Sequence, residues 1–162
     1  MIHKDFNIDD LPNDILRKTY QYWLGMKGAR SMPARTDLNP ADIVSLLPHI
    51  TLVDVEASPR RYKFRLVGTE TVKAMGLDVT GQYLDQLPKV EQYLKDRYNS
   101  LVETKAPYWH GGKLVWSKKS FIDYSVIGLP LSSDGITVDK LLFSLYYQFP
   151  IEKRTEFIKL RS

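Results

Sequence analysis

LPHITLVDVEASPRRYKFRLVGTETVKAMGLDVTG, residues Leu47–Gly81, reads as two short strands, a Gly-Thr step into a small helix and two glycine-marked turns. His49 to Glu56 and Arg61 to Val67 are rich in β-branched and aromatic residues, and Ala57-Ser58-Pro59-Arg60 is the turn between them. An antiparallel hairpin is the expectation. Strict alternation along the second strand places Tyr62, Phe64 and Leu66 on one face, the inner one, and Lys63, Arg65 and Val67 on the other. Gly68 ends that strand, Thr69 is positioned to cap a helix over 70–75, and Gly76 stands where a residue of positive φ often closes a helix.

Outward from this stretch, the N-terminal side opens with NDILRKTYQYWLGMKGA, residues 13–29, where Asn13 or Asp14 can cap a helix and Gly28 can end it. Its apolar residues, among them Leu16, Tyr20 and Trp23, follow the three-and-four spacing of one helical face. Such a stripe must be buried. Either it packs on the rest of the same chain, or it pairs two copies through Leu16, Tyr20 and Trp23. A proline-containing connector, residues 31–40, and a short helix over 41–47 then lead into the first strand.

On the C-terminal side, another single helical turn over 83–87 precedes KVEQYLKDRYNSLVET, residues 89–104, the clearest helix after the first. Three strands follow, over 107–116, 121–131 and 138–149, the last two joined by the Ser132-Ser133-Asp134-Gly135 turn. The expected organisation is a leader helix and connector over 1–40, a domain over 41–150 and an amphipathic tail over 151–162. Its class is α+β: a five-stranded antiparallel sheet covered on one side by short helices, with an N-terminal leader helix.

Composition narrows the chemistry. At 162 residues and 43% hydrophobic content the chain can bury one real core. It has no cysteine, which excludes disulfides, thiol nucleophiles, iron–sulfur clusters and cysteine zinc sites. No long apolar run is present, and the N-terminal MIHKDFNIDDLPND is acidic where a secretion signal begins basic, so a cytoplasmic protein without a membrane span is expected. The net charge of +4 is spread along the chain instead of forming the dense stripe that nucleic acid attracts, and no nucleic-acid partner is expected.

Leu47-Pro48, Arg65-Leu66-Val67-Gly68-Thr69, Gly76, Thr80-Gly81 and Leu129-Pro130-Leu131, with Trp23, Pro33-Ala34-Arg35 and Asn39-Pro40 upstream, occur in an order that resembles the PAS domain. The likeness is to the proteobacterial PAS family of small, nearly single-domain proteins and covers roughly residues 20 to 148. The resemblance implies a PAS-like fold and a non-enzymatic sensory or regulatory role. It further implies a small molecule held between sheet and helices, dimers formed through the leader helix, or a signalling partner such as a histidine kinase. Fold alone does not choose among these.

Residue types then remove specialised versions of that role. Flavin-adduct light sensing and a thioester-linked chromophore both need cysteine. For haem only His3, His49 and His110 are on offer, each isolated in a terminus or beside a turn. There is no Gly-x-Ser-x-Gly elbow and no phosphate-cradling glycine loop, so neither catalytic nor metal-binding residues are assigned and no cofactor is expected. Candidates to line a ligand pocket are Phe64, Leu66, Val72, Met75, Leu87, Tyr98, Tyr124 and Tyr146; the competing reading is that they fill a dry core and that the domain serves only protein–protein contact. Arg65 either grips a ligand carboxylate or pairs with Asp54 or Glu56 across the hairpin, and its face favours the pairing.

Overall fold

The computed structural model describes residues 2–119 and 121–149, so the expected tail over 151–162 lies outside the described residues. Among the described residues there are six strands: β1 (Ile2–His3), β2 (Ile50–Glu56), β3 (Arg61–Val67), β4 (Tyr108–Lys113), β5 (Asp123–Leu131) and β6 (Lys140–Gln148). Three α-helices accompany them: α1 (Asp14–Lys27), α2 (Thr69–Met75) and α3 (Pro88–Thr104). Every strand pairing is antiparallel, in the order β1-β4-β5-β6-β2-β3. The strand beyond the expected five is β1, which sets Ile2 opposite His110 and His3 opposite Trp109. Two residues are too few to leave a period in a sequence.

Local chemistry explains most helix ends. The Asn13 side chain accepts from the Leu16 amide at 3.0 Å and starts α1, while Gly76 closes α2 at φ 79°. Thr69 is the first residue of α2 and does not cap it; Gly68 occupies the cap position without a side-chain bond. The segment expected as one short helix over 41–47 is two 3-10 turns, Pro40–Ile43 and Leu47–His49, each with a proline in its first turn.

Both faces of the sheet are covered. On one, Tyr98 of α3 stacks on Phe143 with ring centroids 4.7 Å apart. On the other lies α1: the Asn13 amide donates to the Ser125 hydroxyl at 2.8 Å, the Thr19 and Ser144 hydroxyls lie 2.9 Å apart, and the Trp23 indole N–H donates to the Pro130 carbonyl at 3.0 Å. Leu16 is fully buried and Trp23 is 2% exposed. The stripe that could have met a second copy is therefore satisfied within one chain, and only Tyr20 of the three expected interface residues remains half-buried.

The hairpin departs from strict alternation at one point. Leu52 faces Leu66 while Val53 faces Phe64, so Arg65 is an extra residue, a one-residue bulge in β3. Beyond it the faces exchange. Leu66, expected inside, is 41% exposed on the outer face, and Val67 takes the inner position.

The bulge turns Arg65 towards Asp54. Its Nε donates to Asp54 Oδ2 at 2.7 Å, and Lys140 Nζ reaches Asp54 Oδ1 at 2.8 Å from the neighbouring strand. Burial alone pushes the Asp54 carboxyl up, but hydrogen bonds and charge from Lys140 and Arg65 outweigh it and hold the group below its ordinary 3.8. A carboxyl with a depressed pKa stabilises the fold above its unfolded value, and that contribution is lost as pH falls through the folded value. Asp54→Asn is expected to lower stability at pH 7 by about 1 kcal/mol. Urea unfolding at pH 7 and pH 3 would show a smaller acid-induced loss in the variant than in the parent; equal losses would remove Asp54 from the acid response.

Candidate functional site: an aromatic cavity between sheet and helices

Inner-face residues of the central strands and one side each of α2 and α3 meet around a cavity of about 50 Å³. Helical spacing sets the helix contribution: Thr71 and Met75 of α2 are four apart, and so are Val90, Leu94 and Tyr98 of α3. Strand alternation sets the rest, with Phe143, Leu145 and Tyr147 of β6 facing inward beside Tyr124 and Val126 of β5. Gly128 lets the rings of its two neighbours close over it. A Cβ there would lie 2.6 Å from Tyr108 and 3.1 Å from Phe143.

Of the residues expected to line a pocket, Phe64, Met75, Leu87, Tyr98 and Tyr124 do so. Three do not. Leu66 is turned outward by the bulge, and Val72 sits off the Thr71–Met75 line of α2. Tyr146 lies on the opposite face, paired with Ser125 and 6.2 Å in ring separation from His49. Lining residues not foreseen include Thr51, Val67, Thr71, Tyr108, Trp116 and Tyr147. For Tyr108 and Tyr147 a signal existed in their strands' alternation, once the phase was known.

The polar groups of the cavity are hydroxyls. Those of Thr71 and Tyr147 bond each other at 3.0 Å, and Tyr124 accepts from Arg97 at 3.1 Å. Burial pushes the phenols of Tyr98, Tyr108 and Tyr147 well up, keeping them neutral donors at any physiological pH. Thr51 differs: it is 4% exposed, and its hydroxyl has no hydrogen-bond partner among the described residues. An unpaired buried hydroxyl costs roughly 1–3 kcal/mol. Thr51→Val, which keeps the shape and removes the hydroxyl, is therefore expected to raise stability by about 1 kcal/mol in urea unfolding of the ligand-free protein. A loss of stability would show that the hydroxyl is already satisfied.

Isolated histidines are engaged elsewhere. His3 stacks on Trp109 with centroids 4.1 Å apart, His49 Nδ1 lies 3.0 Å from the Leu145 carbonyl, and His110 packs near Tyr124. Among the described residues no group of three or more His, Asp or Glu is arranged to hold a metal ion, and no helix is long and apolar enough to cross a membrane.

An antiparallel sheet with helices over an interior cavity is an α+β arrangement. The chain belongs to the PAS domain family, whose model matches residues 13–145. Among solved structures it is similar to a sensory box sensor histidine kinase from Vibrio cholerae, at 16% identity, TM-score 0.47, 68% of this chain and 89% of that one. It is also similar to an RNA-binding Light-Oxygen-Voltage receptor, at 14% identity and TM-score 0.48, with 96% of this chain covering 39% of that one. No curated protein sequence matches.

Proposed function

We propose that this chain is a non-enzymatic sensory module that binds a small molecule in the aromatic cavity and passes its occupancy to a signalling protein partner. The observation that carries the reading is the Thr51 hydroxyl, buried on the cavity wall without a partner that a bound molecule could supply. Family membership supports the signalling half.

The sheet offers a short route for such a signal. Residues facing the cavity alternate along the same strands with residues that hold α1: Phe143 with Ser144, and Tyr124 and Val126 with Ser125. A shift of β5 or β6 on ligand binding is thus felt directly at Asn13 and Thr19. A histidine kinase is one partner class compatible with this route.

The small volume favours a second reading. About 50 Å³ has room for one or two waters, at roughly 30 Å³ each, and falls far below the ~300–1,000 Å³ of pockets for drug-sized ligands. On that reading the core is filled and the domain serves only protein–protein contact. Native mass spectrometry of the purified chain separates the two. A co-purifying small molecule is expected; a bare polypeptide mass together with no thermal shift across a metabolite library would overturn the sensory reading.

A further inference from the structure

The cavity's lining also constrains what could enter it. Among the described residues no charged side chain lines it, and burying an unpaired charge there would cost several kcal/mol, which rules against carboxylates, phosphates and amines. Seven of its seventeen lining residues carry rings, which favour a flat aromatic partner in stacked or edge-on contact. Thr51 asks for one hydrogen-bonding group on that partner.

Space is the obstacle. An apolar cavity of ~150 Å³ is the size that accepts benzene, and this one measures about 50 Å³. Three lining residues, Val79, Leu87 and Trp116, belong to neither helix nor strand, and Trp116 lies on the strap formed by residues 114–119 after β4. Its indole meets Tyr124 edge-on at 5.2 Å and Tyr93 at 6.1 Å, and Tyr93 is 39% exposed, so the indole stands between interior and solvent. The strap is fastened to α2 by two side chains on backbone carbonyls, Ser117 on Ala74 at 3.3 Å and Lys119 on Lys73 at 2.9 Å.

We propose that the cavity binds a small, neutral, planar aromatic molecule with one hydrogen-bonding group, of the phenol or indole class, and that the Trp116 indole is a built-in plug which such a ligand displaces. This rests on the sensory reading above. The plug is itself an aromatic ring in the site, so a ligand of like kind restores ring contacts to the walls that the plug leaves.

The test titrates the full chain with phenol, indole and benzoate by calorimetry. Phenol and indole are expected to bind, benzoate is not. Trp116→Ala should bind phenol at least tenfold more tightly because no plug has to leave, and Thr51→Val about tenfold more weakly for want of one hydrogen bond. Trp116→Leu keeps an apolar cover on the strap and should tighten binding in the same direction, so the result does not hang on the alanine variant folding. Unchanged phenol affinity in folded Trp116 variants would overturn the plug, and benzoate binding as tight as phenol would overturn the ligand class. In either case a different molecule found by native mass spectrometry would leave the sensory reading standing. Absence of any binding to folded Trp116 variants, with a bare polypeptide mass, would overturn both.

Discussion

Trp23→Ala is expected to lower the unfolding free energy by about 3–5 kcal/mol, much of the 5–15 kcal/mol that holds a domain together. Trp23 is 2% exposed in the layer between α1 and the sheet, and its indole N–H donates to the Pro130 carbonyl. Alanine would remove the ring, leave a void and strand that carbonyl. Thermal or urea unfolding by circular dichroism reads the loss. Because the packing lies within one chain, the loss should not change with protein concentration; a strongly concentration-dependent loss would mean that Trp23 is buried between copies. A loss below about 1 kcal/mol would mean that α1 is not part of the cooperative unit.

Gly68→Ala is the second large effect, with an expected loss of about 3 kcal/mol or more. A Cβ at residue 68 would come within 2.8 Å of the Ile50 carbonyl oxygen and closer still to that of Pro48. Both obstacles are backbone atoms, so no side-chain rotation relieves them. The backbone of Gly68 is ordinary, with φ −64°, and the requirement is therefore one of space alone. Gly25 supplies the control: it is exposed near the end of α1 with nothing near an added Cβ. There alanine should stabilise by about 0.5–1 kcal/mol through helix propensity. Similar losses at both sites, measured by urea unfolding, would refute the close approach at Gly68.

Element order was legible in the sequence because it depends on local chemistry. Asn13, Gly28, Gly76 and the prolines before the short turns mark boundaries that the structure shares to within a residue or two. Side-chain direction was less legible, for two separate reasons. In β3 nothing in Arg61-Tyr62-Lys63-Phe64-Arg65-Leu66-Val67 announces the bulge, so Leu66 and Val67 read in exchanged positions. In β5 and β6 both faces are buried, one by α3 and one by α1, and period-two alternation fades into a continuous apolar run. Adjacent Tyr146 and Tyr147 then look alike, although only Tyr147 reaches the cavity. Trp116 was illegible for a third reason: a loop residue carries no period at all, and its place on the wall depends on a fold closed elsewhere.

The extra residue in β3 also fixes where the chain length of this hairpin can change. Because Leu52 already faces Leu66 and Val53 already faces Phe64, excising Arg65 would leave every flanking pair in register and every flanking side chain on its present face. Its main loss would be the grip on Asp54, which Lys140 would still hold. Excising Leu66 would have the same effect, with Arg65 taking its outward place, whereas excising Lys63 would carry Phe64, the ring of this strand that lines the cavity, to the opposite face. The bulge is thus open to a one-residue deletion while the strand before it is closed to one, a pattern of length variation that related chains should carry at residues 65 and 66 and not ahead of them.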